Sequence, residues 1–135
     1  MHAACVGLDG SAVLILGKSG AGKSALALTL MAYGAQLVAD DRVVLQLAGD
    51  RILATAPDTI AGLIEARGVG ILNAIFLPSA ALALIVDLDQ IEQDRLPPPR
   101  HRTILGHDLP LLHRVDGIHF APAILQFLRA GRSER

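Results

Sequence analysis

Residues 17–24, Gly17-Lys18-Ser19-Gly20-Ala21-Gly22-Lys23-Ser24, constrain the fold of this chain more than any other stretch. They match the pattern G-x-x-x-x-G-K-S/T in full. The run before them, Ala12-Val13-Leu14-Ile15-Leu16, shows no polar alternation and reads as a strand buried on both faces. The run after them is rich in Ala and Leu and reaches Gly34, where a helix would end. The sequence therefore predicts a buried strand, a glycine-rich turn and a helix over 22–33. In that context glycines let successive N–H groups turn inward around phosphate oxygens, and the helix presents its positive end to them. Lys23 would place a compact cation on the β- and γ-phosphates of a nucleotide, and Ser24 would offer a hydroxyl to Mg2+. The chain has two lysines, Lys18 and Lys23, and both lie in this loop. The alternative is a glycine-rich turn that binds nothing.

The rest of the chain reads as α/β with more hairpins than a pure doubly wound sheet. Asp9-Gly10 between the apolar runs 3–8 and 11–16 is a hairpin signal. Residues 36–41 form a short strand ending in two carboxylates, and 42–57 form a hairpin turning at Gly49-Asp50. Asp58 is a candidate N-cap for a helix over 59–65. The charge-free stretch from Gly68 to Val86 approaches the length of a membrane span, but Pro78-Ser79 breaks it. Two short buried strands joined by a turn fit it better. Residues 90–103, with Pro97-Pro98-Pro99, read as a mobile loop. Residues 108–115 read as a last strand, and Pro122 to Ala130 as an amphipathic helix with basic residues at its end.

Composition narrows the function classes. Half the chain is hydrophobic (52%) but only 3% is aromatic, which excludes disorder and argues against a base-stacking nucleic-acid binder. The net charge of −1 gives no basic field for nucleic acid or anionic membrane. The mean hydropathy of +0.47 is high and predicts apolar surface for a partner subunit. The sequence opens with no signal-peptide pattern, and the single Cys5 makes no internal disulfide, so a cytoplasmic protein is expected.

Further residues are candidates beside the loop. Asp40 and Asp41 suit metal or general-base work, or else an N-cap or solvated turn. Successive strand side chains alternate, so only one of the two is expected to face the phosphates. Glu65-Ala66-Arg67 before Gly68 and Gly70 could provide a metal ligand and an anion contact, or else a surface ion pair at a helix end. Arg95 could stabilise transferring charge. His101, His107, His113 and His119 fit no zinc spacing and read as mostly loop and surface residues. His2 opens the first strand and could lie beside the loop.

Together these residues resemble the catalytic domain of the HPr kinase/phosphorylase family. Its motifs, a His before the first hairpin, G-x-S-G-x-G-K-S, L-V-A-D-D, E-I-R-G-x-G and D-R-L, stand here in order. They are His2, Gly17 to Ser24, Leu37 to Asp41, Glu65 to Gly70, and Asp94-Arg95-Leu96. The resemblance implies a phosphate-loop kinase core with a mixed sheet and several hairpins. It implies a single domain over 1–135, a short form without the family's N-terminal domain, as in α-proteobacterial members. Its motif-bearing core runs from His2 to about Leu96, and 97–135 diverge. The implied activity is ATP- and Mg2+-dependent phosphorylation of a serine on the phosphocarrier protein HPr, with phosphorolysis as the reverse. The implied partners are HPr and copies of the chain itself in a hexamer.

By the same resemblance Asp41 would be the base, His2 its support and Asp40 the neighbour that tunes it. Lys23 would hold the phosphates, Ser24 and Glu65 the metal, and Arg95 the transferring group. Departures stand at Lys18, where the family often has Asp, and at Ala25 and Ala66. The basic stretch linked to dephosphorylation has no recognisable counterpart near His113 to Gly117. A small-molecule kinase and a nucleotide-binding regulator that transfers nothing are the competing readings.

Overall fold

A computed structural model describes residues 1–133. Ten strands and two helices follow in order: β1 Ala4–Leu8, β2 Ser11–Leu16, α1 Lys23–Ala32, β3 Gln36–Ala39, β4 Val44–Ala48, β5 Arg51–Thr55, β6 Leu63–Ala66, β7 Gly70–Asn73, β8 Ala80–Ile91, β9 His101–Ile104, β10 His107–Arg114 and α2 Phe120–Ala130. An eight-stranded mixed sheet runs β3-β1-β2-β8-β10-β9, with β5 pairing β8 and carrying β4. β8 lies parallel to β2 on one side and to β10 on the other. The β1–β2 and β4–β5 hairpins are antiparallel, and β6 and β7 form a separate two-stranded sheet.

The unalternating apolar runs are explained by two cores, one on each face of the sheet. Val13 and Ile15 of β2, Ala4 and Val6 of β1, and Leu84, Val86 and Leu88 of β8 pack under α1 and α2. Their sequence neighbours Ala12, Leu14, Leu16, Cys5, Leu82 and Ile85 pack on the opposite face, beneath Ile52 and Ala54 of the β4–β5 hairpin. A period of two that finds apolar cover on both sides reads in the sequence as no period at all. Burial also pushes the Cys5 thiol far above its ordinary range, so it is an inert core residue. Among the described residues no helix is long and apolar enough to cross a membrane.

Four sequence expectations are corrected. The helix over 59–65 is a single 3-10 turn at Asp58–Ile60, followed by β6. Gly62, in the left-handed region at φ 75°, ends the turn, and Glu65 and Ala66 pair with β7. Within 68–86 the first strand, β7, is exposed rather than buried, because among the described residues it pairs only with β6 in a separate two-stranded sheet. The connection after β8 is a loop only from 92 to 100, since β9 pairs with β10 from His101 onward. The histidines are correspondingly less often in loops: His101 lies on β9, His107 and His113 on β10, and His119 immediately precedes α2.

Candidate active site

The site forms where β2 hands the chain to α1. Gly22 is the residue before the helix and adopts φ 101°, a left-handed conformation that favours glycine. No side chain caps α1, and among the described residues the N–H groups of Gly22, Lys23 and Ser24 have no backbone acceptor. These donors face a cavity of about 420 Å³ lined by Ser19, Gly20, Gly22, Lys23 and Ser24 together with Asp40, Asp41 and Glu65. A Cβ built on Gly20 or Gly22 meets nothing within 4 Å. Unfilled donors, an open cradle and a helix N-terminus suit an anion such as a nucleotide's phosphates.

Side chains of the loop are already organised. Lys23 Nζ donates to the carbonyl oxygens of Gly17 (2.6 Å) and Lys18 (3.1 Å), which holds the ammonium over the loop. Ser24 Oγ donates to Asp40 Oδ1 at 2.7 Å, and the Glu65 N–H donates to Asp40 Oδ2 at 3.0 Å. Asp40 is the one buried charged residue among those described, with 6% of its surface exposed. Its two oxygens thereby tie α1 to β6. Because the Ser24 proton is directed at Asp40, the Ser24 oxygen keeps its lone pairs for a cation. The Ser24 hydroxyl and the exposed Glu65 carboxylate line the same cavity, and both are hard oxygen donors of the kind Mg2+ takes.

Both Asp40 and Asp41 line the cavity, against the expectation that only one would. β3 ends at Ala39, and Asp41 takes φ 73°, so strand alternation no longer governs the pair. Asp40 points inward to its two donors while Asp41 stays exposed. The structure therefore brings Lys23, Ser24, Asp40, Asp41 and Glu65 together. It leaves His2 and Arg95 out of the lining. His2 bridges Arg42, one residue from Asp41, and the Asp41 carbonyl accepts the Ala3 N–H at 3.3 Å, so the chain start braces this segment from outside. Arg95 is exposed in the 92–100 connection.

Two further neighbours complete the surroundings. Arg67, which the sequence offered as an anion contact, lines the cavity and supplies a second cation. Asp89, near the end of β8, accepts the Lys18 N–H with both carboxylate oxygens, at 3.1 and 3.0 Å. The available signal was an acid near the end of a strand parallel to the loop's own strand.

Known proteins resemble this chain in sequence and in fold. The family model described as HPr Serine kinase C-terminal domain matches residues 1–108. An HPr kinase/phosphorylase of Geobacillus thermodenitrificans is 38% identical over 125 residues, covering 83% of this chain and 40% of that protein. One from Exiguobacterium is 42% identical over 97 residues, covering 66% of this chain and 31% of its own length. The chain thus spans well under half the length of these curated relatives. Among solved structures, the Hpr(Ser) kinase/phosphatase from Coxiella burnetii superposes with a TM-score of 0.80 at 26% identity, over 96% of this chain and 87% of that one.

Proposed function

The chain belongs to the HPr serine kinase C-terminal domain family, and from that membership we propose that it transfers the γ-phosphoryl group of ATP to a serine of HPr. The observation that carries the reading is the convergence of Lys23, Ser24, Asp40, Asp41 and Glu65 on one cavity at the start of α1. The unfilled N–H groups of the loop bind the phosphates. Lys23 leaves its loop carbonyls to neutralise charge on the β- and γ-oxygens, and Arg67 adds a second positive group on the facing wall. Ser24 and Glu65 hold the magnesium ion, which when bound screens the negative charge of the phosphates.

Asp41 is the base. Its carboxylate is exposed in the cavity, where a serine hydroxyl from another protein can reach it, whereas Asp40 is committed to Ser24 and Glu65. As the serine oxygen bonds to phosphorus, its proton passes to Asp41 and ADP leaves with the electrons of the broken P–O bond. In phosphorolysis an oxygen of inorganic phosphate bonds to the phosphoserine phosphorus to form pyrophosphate, and the serine oxygen leaves with the electrons of the broken P–O bond and takes its proton from Asp41. Asp40 fixes the neighbouring backbone, and His2 steadies the Asp41 segment through Arg42. Arg95 enters as a cation that approaches the transferring group once both substrates are bound.

The same reading includes a cytoplasmic homo-oligomer, of which a hexamer is the expected form. It is supported by the exposed apolar residues of the β6–β7 hairpin and its exit, Val69 and Ile75 being 76% and 84% exposed. A clean monomer in sedimentation at micromolar concentration would count against it.

The test is phosphate transfer to purified HPr, with Lys23→Ala and Asp41→Asn as controls. Both variants are expected to lose transfer, Asp41→Asn without losing ATP binding. Transfer that survives Asp41→Asn sinks the assigned base. Turnover of a metabolite without HPr, or tight ATP binding with no phosphorylated product, replaces the protein-kinase reading.

A further inference from the structure

We propose that Asp89 is a positioning residue that sets the phosphate loop, and through it Lys23, for nucleotide binding. The inference rests on the nucleotide-binding reading of the site and adds to it a residue outside the cavity wall.

The geometry is a short relay. Both Asp89 oxygens accept the N–H of Lys18, 71 residues earlier in the chain, at 3.1 and 3.0 Å. The carbonyl of the same Lys18 accepts two further groups: the Ala21 N–H at 3.0 Å, which closes the turn, and Lys23 Nζ at 3.1 Å. One peptide unit is thus gripped by β8 on one side, while the next orients the lysine that meets the phosphates. Asp89 is itself oriented, since its N–H donates to Asp87 Oδ1 at 2.9 Å. Asp87 in turn lies 3.7 Å from the Arg102 guanidinium of β9. The contacts join the loop to β8, run along β8 and join β8 to β9, so the sheet, and not the glycine-rich loop, defines where the loop sits.

A loop that must fold around its ligand loses affinity by the fraction of time it spends elsewhere. Gly17, Gly20 and Gly22 give this loop that freedom. A charge-assisted contact at Lys18 removes part of it before the ligand arrives. The carboxylate also repels phosphate, so the contact is useful only as an anchor behind the loop. An Asn at this position keeps an acceptor oxygen and loses the charge.

The experiment is titration of the full chain with a fluorescent ADP analogue, alongside thermal melting and the Lys18 amide resonance. Asp89→Ala is expected to weaken nucleotide binding about tenfold, the effect of losing one hydrogen bond to a charged group near the surface. Its melting temperature should match wild type, because Asp89 is exposed. Asp89→Asn should recover most of the affinity. The Lys18 amide proton, bonded to a carboxylate in the wild type, should resonate further upfield in Asp89→Ala and lie between the two in Asp89→Asn. In transfer assays Asp89→Ala should raise the KM for ATP and leave kcat at saturation close to wild type. Unchanged affinity in Asp89→Ala beside normal wild-type binding overturns the positioning role and leaves the kinase reading standing. A wild-type chain that binds no nucleotide overturns both.

Discussion

Asp40→Ala removes the one buried carboxylate that joins α1 to β6. Two hydrogen bonds are lost, from Ser24 Oγ at 2.7 Å and from the Glu65 N–H at 3.0 Å. Each bond to an ionised acceptor contributes about 1.5–3 kcal/mol. Roughly half of that returns, because Ser24 is only half-buried and water can reach both donors, and because the desolvation cost of the buried carboxylate disappears with it. The net loss is therefore about 2 kcal/mol, or about 7 °C in Tm for a domain of this size. Asp40→Asn should cost about half as much: its carbonyl keeps the Glu65 N–H, and the Ser24 hydroxyl rotates to accept from the new amide. Urea unfolding measures both, provided the slope of free energy against urea stays at the wild-type value. Asp40→Ala within about 0.5 kcal/mol of wild type, or Asn costlier than Ala, would refute the assignment of Asp40 as the tie between these elements.

Two further outcomes can be checked on stability alone. The Arg100 side chain, bonded to Glu92 through Nε at 3.1 Å and Nη2 at 2.9 Å, holds the Glu92 carboxyl at about 2, below its ordinary 4.5. That pairing stabilises the fold above the ordinary value and is lost as pH falls from about 4.5 towards about 2, so Glu92→Gln should flatten the acid limb of a stability–pH curve. An acid limb identical in the two proteins would exclude the pair. Gly62→Ala forces a side chain onto φ 75° and within 3.0 Å of the Phe76 ring and 3.2 Å of the Ala74 carbonyl, and should cost at least about 2 kcal/mol by chemical denaturation. A neutral substitution would mean that the turn into β6 adopts another backbone.

The parts of the fold that were legible in the sequence are those with local causes. Asp9-Gly10 and Gly49-Asp50 carry their turn geometry in the dipeptide, and the strand, loop and helix around Lys23 announce themselves through composition. The site was legible to the extent that it is one motif plus acids at a strand end. Residues 59–65 were misread because Asp58 imitates a helix cap, whereas the partner that makes 63–66 a strand lies across a hairpin whose exposed outer face leaves no apolar signature. The inward turn of Asp40 depends on Ser24 and Glu65, 16 and 25 residues away. No window of sequence contains that triangle. Asp89 was hidden for the same reason: its partner is a backbone N–H, which every residue but proline possesses.

The left-handed backbone at Asp41 restricts what can serve as a base there. A non-glycine residue at φ 73° is tolerated chiefly when it is Asp or Asn, whose short side chains suit that region. Glutamate, chemically as good an acid, would carry a strain penalty at this position. If Asp41 is the base proposed above, a torsion angle sets the length of the catalytic arm: one methylene from the backbone and no further. A hydroxyl that is to lose its proton there must come close to the main chain, because the exposed carboxylate cannot reach out to it. Selection among acceptors then becomes a question of which proteins can bring a serine that near the backbone of Asp41.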